Sequence, residues 1–139
     1  MTNHPEDIVA RYYAAFNARD FDAYARLFSA DVEIVFPGVT ARGLAAMRDF
    51  DAGWAEAFPA ARLETLRMTT TGAYVAVALW FNGGPQRAAF NTPSGIVPAT
   101  GKTLDVPAFV MFKVEGDLIV KQQIVFEPSW IGIQLGLAS

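Results

Sequence analysis

The chain has 139 residues, a formal net charge of −3, no cysteine and one histidine, His4. Its length suits one domain covering residues 1–139. Without cysteine the chain forms no disulfide, and one histidine is too few for a multi-histidine metal site. Charges of both signs are scattered along the sequence. This argues against nucleic acid as a partner, because no basic stripe is present to neutralise phosphates.

No membrane span or secretion signal is visible in the sequence. No apolar run reaches the ~18 residues that a membrane span needs. The N-terminal stretch MTNHPEDIV lacks both the basic and the apolar region of a signal peptide. We therefore expect a soluble cytoplasmic protein with no membrane partner and no cofactor. Hydrophobic residues make up 53% of the chain, a surplus that suits a ligand pocket or a subunit interface.

Three helices are predicted near the N-terminus. The first begins at Pro5, and its apolar residues Ile8, Tyr12 and Phe16 recur every four positions on one face. Asp20 is placed to cap a short second helix. The apolar face of the third helix, roughly residues 44–58, consists of Met47, Phe50, Trp54 and Phe58.

Strands dominate the remainder of the chain. Residues 32–36 form a β-rich run, and strands are predicted at 62–70 and 74–81. The last of these is apolar nearly throughout, which predicts burial on both faces. Residues 85–101 are rich in proline, glycine and asparagine and predict a long irregular connection or a splayed hairpin. Residues 100–127 predict two long antiparallel strands, followed by an apolar tail that forms a short helix or lid.

Several stretches together resemble the SnoaL-like polyketide cyclases of the nuclear transport factor 2-like superfamily. They are RYYAAFNARDFDAYARLFSADVEI (residues 11–34), ARGLAAMRDF (41–50), PATGK (98–102), the strand–turn–strand of residues 109–127, and the ending IQLGL. The order of helices and strands already predicts an α+β fold. The resemblance implies a strongly curved mixed or antiparallel sheet wrapped around the N-terminal helices, forming a cone with an internal pocket. It carries less information on activity, because this fold hosts isomerases, epoxide hydrolases, cyclases and non-catalytic binders.

Apolar residues occupy the positions where the resemblance implies catalytic side chains. The aspartate that serves the polyketide cyclases as general acid/base matches Val110, which cannot move a proton. The aspartate–arginine–aspartate set of the limonene-epoxide-hydrolase type matches Val110, Ala108 and Ile124. For the ketosteroid isomerases, the base falls near Phe36 and the acid on Val110, and only the tyrosine has a counterpart, Tyr12. None of these activities transfers unchanged.

The strand register decides which side chains face the pocket. Side chains alternate across a strand, and the family pattern places Val110, Ile124 and Phe126 inward and Asp105 outward. A slip of one residue reverses this arrangement and makes Asp105 the leading candidate for a base.

Three polar residues remain as catalytic candidates: Tyr12, Gln122 and Glu127. Tyr12 either points into the pocket or is a core tyrosine with a satisfied hydroxyl. Gln122 is the one amide on the expected inward face, where it would orient a ligand carbonyl, and on the other face it is ordinary surface. Glu127 stands where relatives often carry an acidic residue, either as a group at the pocket mouth or as a solvated strand end.

A larger apolar set is expected either to bind a ligand or to fill the core. Its members are Phe36, Trp54, Phe58, Trp80, Val110, Ile124, Phe126 and Trp130. The opposite strand face carries Phe109 and Met111. Apolar side chains on both faces indicate that the outer face is covered too, most simply by a second copy in a homodimer.

Three hypotheses follow. The first is a SnoaL-like enzyme of the polyketide cyclase or isomerase type, acting on a hydrophobic cyclic or aromatic substrate, with the usual acid/base aspartate replaced by Val110. The second is a non-catalytic binder of an apolar small molecule in a homodimer. The third is a structural homodimer whose pocket is filled by its own side chains. Family frequency favours the first hypothesis, and the missing acid/base group favours the second.

Overall fold

A computed structural model describes residues 4–92, 95–127 and 129–136. In these residues, helices come early in the chain and strands later, which confirms the predicted α+β order. The elements are α1 (Pro5–Ala18), α2 (Phe21–Ala25), β1 (Phe28–Phe36), β2 (Val39–Arg42), α3 (Leu44–Ala57), β3 (Arg62–Thr71), β4 (Tyr74–Pro85), β5 (Phe90–Thr92), β6 (Gly95–Val97), β7 (Thr103–Glu115), β8 (Leu118–Val125) and α4 (Ser129–Gln134).

Six of the strands form one curled sheet in the order β2-β1-β8-β7-β4-β3. The pairing of β1 with β8 is parallel and the other pairings are antiparallel, so the sheet is mixed. Irregularities in register occur in four of these pairings, for example between Asn82 and Gly84. Each such bulge bends its strand and increases the local twist. The sheet therefore curves around the helices as expected.

Helices α1 and α3 lie on the inner side of this curve. Pro5 occupies the first turn of α1, where its missing N–H is not needed. The buried face of α1 includes Ile8, Tyr12 and Phe16, as the four-residue spacing predicts. Asp20 caps α2 by accepting a hydrogen bond from the backbone N–H of Ala23 at 3.1 Å. These helices supply the inner layer against which the sheet packs.

Strand β7 divides the interior from the outer surface. Its inward residues are buried and alternate with exposed apolar ones, since Phe109 is 65% and Met111 48% exposed. Val110 pairs with Val77 on one side and Ile124 on the other. Asp105 lies on the outer face. The register is thus the one expected from the sequence, and no slip brings Asp105 inward.

Two predictions about the strands need correction. Strand β4 is buried on one face only, because Tyr74 and Ala76 are exposed; small alanines on the outer face made the sequence look apolar throughout. The strand also continues past Phe81 to Pro85, because a bulge at Gly83 absorbs the irregularity.

The connection at 85–101 contains the β5–β6 hairpin, which matches the splayed-hairpin alternative. Of the predicted tail, Pro128 and residues 137–139 lie outside the described residues.

No helix within residues 4–92, 95–127 and 129–136 combines the length and the apolar character that crossing a bilayer requires.

The close approach of β4 to β7 predicts that Gly83 tolerates no side chain. A Cβ at Gly83 would overlap the carbonyl oxygen of Leu104 and lie 2.8 Å from a ring carbon of Phe81. We expect Gly83→Ala to lower the free energy of unfolding by about 1–3 kcal/mol, as overpacking does. Gly53→Ala is the matched control, because Gly53 lies inside α3 with nothing within 4 Å of the added Cβ; it should raise stability by up to about 1 kcal/mol. Equal urea-unfolding free energies for the two variants would contradict this packing.

Candidate active-site cavity

A cavity of about 80 Å³ lies between α1, α3 and the inner face of the sheet. Most of its lining is apolar, and eight of the lining residues are aromatic. The aromatic residues are Tyr12, Tyr13, Phe16, Phe36, Phe50, Trp54, Phe81 and Phe126; the aliphatic ones are Leu63, Leu79, Val106, Ala108, Val110 and Ile124; the remaining two are Asp51 and Gln122.

Aromatic rings surround the end of the cavity nearest to solvent. Phe36, Phe50, Trp54 and Phe126 are only half-buried. The ring centroid of Phe36 lies 4.9 Å from that of Phe126, 5.0 Å from that of Phe50 and 5.9 Å from that of Trp54. We call these four residues the aromatic mouth. A ligand entering the cavity would pass between their rings.

A hydrogen-bonded pair of side chains forms the polar part of the cavity wall. The Tyr12 hydroxyl on α1 donates to Oδ2 of Asp51 on α3 at 2.8 Å. Tyr12 is 2% and Asp51 4% exposed. The ring of Tyr12 packs against the edge of Phe28, with 4.9 Å between the ring centroids, and against Tyr13, with 5.2 Å between the centroids. The pair is therefore fixed in position and shielded from water.

Burial changes the ionisation of this pair. Burial raises the pKa of Asp51 from its ordinary value to about 7, although the hydrogen bond from Tyr12 acts in the opposite direction. Burial, followed by the nearby Asp51 charge, raises the pKa of Tyr12 well above its ordinary value. Near neutral pH, Asp51 thus exchanges between acid and carboxylate while Tyr12 keeps its proton. A carboxyl group with this pKa is suited to general acid/base chemistry.

Gln122 lies next to the pair and has unused hydrogen-bonding capacity. It is 3% exposed, and its side-chain hydrogen bond to Tyr12 lowers the pKa of that hydroxyl. Its Oε1 has no hydrogen-bond partner among the described residues, and neither has the buried hydroxyl of Tyr13. Buried polar atoms without partners are rare in native proteins. Both residues belong to the cavity lining.

Seven of the residues expected at the site line this cavity. They are Tyr12, Phe36, Trp54, Val110, Gln122, Ile124 and Phe126. Two α-helices and five strands contribute to the lining, so residues far apart in the sequence meet there.

Four residues expected at the site lie elsewhere. The carboxylate of Glu127 is exposed and accepts hydrogen bonds from the backbone N–H and Oγ of Ser129, so it caps the start of α4. Trp80 lies on the outer face of β4, beside Pro107. Phe58 is buried beyond Trp54 against Phe81 and Phe90. The remaining one, Trp130, is partly exposed on α4.

Asp51 is the site residue that the sequence interpretation missed. It lies four residues after Met47 and three before Trp54, within the apolar face of α3. A lone carboxylate on such a face is a detectable signal, because Asp is almost never fully buried unless it is paired. The resemblance directed the search for a carboxylate to the strands, and the structure places one on the opposite helix.

Over residues 4–92, 95–127 and 129–136, the structure contains no group of three or more histidine, aspartate or glutamate side chains arranged to hold a metal ion.

Replacing the buried carboxyl group should change how stability depends on pH. The pKa of Asp51 is about 7 in the folded protein and about 4 in an unfolded chain. The folded state therefore binds more protons between these values, and wild-type stability falls as pH rises through this window. We expect the free energy of unfolding of Asp51→Asn, taken relative to that of wild type, to be roughly 2–4 kcal/mol higher at pH 8 than at pH 4.

Asp49→Asn is the matched control for this measurement. Asp49 lies on the same helix but is exposed. The difference in unfolding free energy between Asp49→Asn and wild type should therefore stay nearly constant with pH. Urea unfolding at several pH values measures both differences. Parallel curves for Asp51→Asn and wild type would show that Asp51 keeps an ordinary pKa.

Comparisons with known proteins agree on the family. A model of the SnoaL-like domain matches residues 9–122. A search among functionally curated proteins found no match. Similar solved structures include a candidate SnoaL-like polyketide cyclase from Jannaschia sp. CCS1, with a TM-score of 0.84, 19% identity and coverage of 97% of this chain and 93% of that one.

Two further structures share the architecture. A candidate polyketide cyclase from Pseudomonas putida KT2440 has a TM-score of 0.76 and 24% identity, covering 96% of this chain and 98% of its own. The candidate hydroxylase AclR from Streptomyces galilaeus has a TM-score of 0.81 and 18% identity, covering 97% of both chains. At these identities the likeness concerns the cone fold. Together with the match over residues 9–122, it shows that the chain belongs to the SnoaL-like domain family.

Proposed function

We propose that this protein is an enzyme of the cyclase or isomerase type that moves a proton on a hydrophobic cyclic or aromatic small molecule. Asp51 is the proton-moving group, in place of the aspartate whose family position is occupied by Val110. The observation that carries this proposal is the buried hydrogen bond between Tyr12 and Asp51 in an aromatic cavity. The similar structures of candidate cyclases and a candidate hydroxylase agree with small-molecule chemistry on this fold.

Asp51 is suited to remove a proton from carbon next to a carbonyl group. In that step the C–H bond breaks, its electron pair delocalises toward the carbonyl oxygen, and a new O–H bond forms on Asp51. Asp51 then returns the proton to a different atom of the substrate, or the enolate attacks a second carbonyl to close a ring and Asp51 protonates the alkoxide oxygen that forms. With a pKa of about 7, Asp51 can both accept and return the proton near neutral pH.

Tyr12 and Gln122 position this carboxyl group. Tyr12 donates to one carboxyl oxygen and so limits rotation of the group. Gln122 in turn interacts with the Tyr12 hydroxyl. Both residues act through Asp51 in this scheme and are positioning residues. Glu127 takes no part, because it lies outside the cavity and caps α4.

The apolar lining would contribute by binding and by excluding water. Aromatic and aliphatic walls favour a hydrophobic substrate, and a dry site strengthens the effect of the single carboxyl group. Holding a flexible substrate in a reactive conformation can itself lower a cyclisation barrier by up to ~7–11 kcal/mol. A fused ring system requires the aromatic mouth to open, because the cavity measures only about 80 Å³.

The alternative is a non-catalytic binder of an apolar small molecule. It is favoured by Val110 at the family's acid/base position and by a lining with only one carboxyl group. In this alternative the Tyr12–Asp51 pair is a structural contact between two helices. Both functions use the same cavity, but only the enzyme converts its ligand into a product.

Deuterium exchange at carbon next to a carbonyl tests the enzymatic proposal. We would incubate the protein with a panel of cyclic and aromatic ketones in D₂O and follow exchange by NMR. Asp51→Asn should reduce the exchange rate about 10²–10⁴-fold, as loss of a general base does, whereas the control Asp49→Asn should retain it. Exchange by wild type should rise with pH to a plateau above about pH 7, because the carboxylate is the active form.

Tyr12→Phe separates positioning from a structural role. The hydrogen bond from Tyr12 lowers the pKa of Asp51, so its loss should move the midpoint of the pH–rate profile upward. Full exchange activity in Asp51→Asn would refute the proposed role of this residue. Saturable binding of a ketone without any exchange would favour the binder instead.

We also propose that the protein is a homodimer through the outer face of its sheet. The exposed apolar side chains there include Phe109 and Met111 on β7, Val125 on β8 and Tyr74 on β4. Phe109 faces Val125 across one pairing and Ala78 across the other, so the apolar surface continues over three strands. A patch of this kind on a sheet is typically covered, and a second copy presents the same patch in return.

Sedimentation velocity at micromolar concentration tests the dimer. Wild type should sediment as a dimer and Phe109→Lys as a monomer, since a lysine in the centre of an apolar interface loses its hydration. Ile133→Lys is the control, because Ile133 is 62% exposed but belongs to α4 and not to the sheet. A monomeric wild type, or equal dissociation in both variants, would contradict this interface.

A further inference from the structure

The cavity contains a carboxyl group without a positively charged partner. Asp51 is the one carboxyl group among the described lining residues, and none of these residues is lysine, arginine or histidine. Its hydrogen bond comes from the neutral hydroxyl of Tyr12. A buried carboxylate is strongly disfavoured unless a cation or several hydrogen bonds compensate it. A cationic ligand would supply the missing charge.

Aromatic side chains line the same cavity as this carboxyl group. Tyr12 bonds to it from α1, and Tyr13 on α1 and Phe50 and Trp54 on α3 belong to the same lining. The faces of aromatic rings attract organic cations through their quadrupole, and proteins use cages of such rings to hold alkylammonium groups. The combination of several aromatic rings with one carboxyl group therefore fits an alkylated amine better than it fits a plain hydrocarbon.

Gln122 is an independent indication that the ligand carries a donor. Its side chain is 3% exposed, and Oε1 has no hydrogen-bond partner among the described residues. An amide oxygen accepts hydrogen bonds and cannot donate them. A ligand with an N–H group would satisfy this oxygen, which a purely apolar ligand leaves unpaired.

The size of the cavity restricts the buried part of the ligand. Its volume is about 80 Å³, roughly half that of the ~150 Å³ engineered cavity that accepts benzene. A compact head group fits this space, with the rest of the molecule extending through the aromatic mouth.

We propose that the cavity binds the protonated head group of an alkylated amine, with Asp51 as its counter-ion, the aromatic rings around its alkyl groups, and Gln122 Oε1 accepting from its N–H. The inference rests on the proposed function, because it concerns the same cavity. It adds that the buried end of the ligand carries a positive charge. It does not depend on turnover, since a cation held beside Asp51 can belong to a substrate or to a retained ligand.

Isothermal titration calorimetry with matched ligands tests the charge. The probes are the N,N-dimethylethanolammonium ion and 3-methyl-1-butanol. They have the same shape, and the first has an N–H⁺ group where the second has a C–H group. Wild type at pH 8 should bind the ammonium ion at least about tenfold more tightly. Asp51→Asn should abolish this preference, and Asp49→Asn should keep it.

Choline tests the role of Gln122, because its quaternary nitrogen has no N–H. Gln122→Leu should weaken binding of N,N-dimethylethanolammonium several-fold and leave choline binding nearly unchanged. Equal losses for both ions would show that Gln122 shapes the cavity without accepting from the ligand, and would overturn that part of the proposal.

The pH dependence of binding provides a second measurement. The ionisable groups that interact with Asp51 from the other helices are Tyr12, Tyr13 and Tyr24, and burial raises the pKa of each above its ordinary value. They stay neutral, so Asp51 alone should control binding. Affinity for the ammonium ion should fall about tenfold per pH unit below pH 7, while affinity for the alcohol should not.

The outcomes separate this inference from the proposed reaction. If the alcohol binds as tightly as the ammonium ion, or if Asp51→Asn retains the preference, the cation proposal is wrong and the exchange reaction is unaffected. If Asp51→Asn loses the preference but keeps deuterium exchange, the proposed reaction is wrong and the cation site stands. Thermal unfolding of each variant, with and without the probes, shows whether a loss of binding reflects a loss of folding.

Discussion

The hydrogen bond between Tyr12 and Asp51 is the interaction around which the inside of this protein is arranged. It joins the middle of α1 to the middle of α3 across a largely apolar space. A carboxyl group in that space is disfavoured, so its position on the inner face of α3 requires the partner that α1 supplies. Burial raises its pKa to about 7, so this one buried side chain changes its charge near neutral pH.

The curled sheet allows this polar pair to exist within an apolar core. The inner face of β7 packs alternate residues against the helices, and its bulges and those of its neighbours bend the sheet around them. Because the curvature leaves a space that the side chains do not fill, a cavity of about 80 Å³ remains. The aromatic rings that line it give both shape and a surface that attracts hydrophobic groups and organic cations.

Strand alternation also separates two surfaces on one element. The inward residues of β7 and β8 line the cavity, whereas the outward ones, including Phe109 and Val125, form an apolar outer surface. Neighbouring positions in the sequence thus belong to a proposed ligand site and a proposed subunit interface. A substitution at one position can leave the other face intact, because adjacent side chains point to opposite sides of the sheet.

Periodicity was sufficient to predict the three helices and the long strands, because a period of four or of two states directly which side chains share a face. The register of β7, with Val110 inward, came from the family resemblance. The sequence left the positions of Tyr12 and Gln122 open, and the structure places both in the cavity wall. The structure places Trp80 and Glu127 outside the cavity, since Trp80 lies on the outer face of β4 beside Pro107 and Glu127 bonds to Ser129, two positions further along the chain. Strand β2 was also not predicted from the sequence, because this strand is defined by its pairing with β1.

The sequence by itself determined the α+β order, and the resemblance added the strand faces and the comparison of Val110 with the cyclases' aspartate. Only the tertiary structure decided that a carboxyl group, that of Asp51, lies in the cavity wall on the facing helix. Asp51 is separated from Tyr12 by 39 positions, and no local pattern encodes their meeting. Burial and pairing are properties of the assembled core, and they convert an ordinary aspartate into a group that titrates near neutral pH.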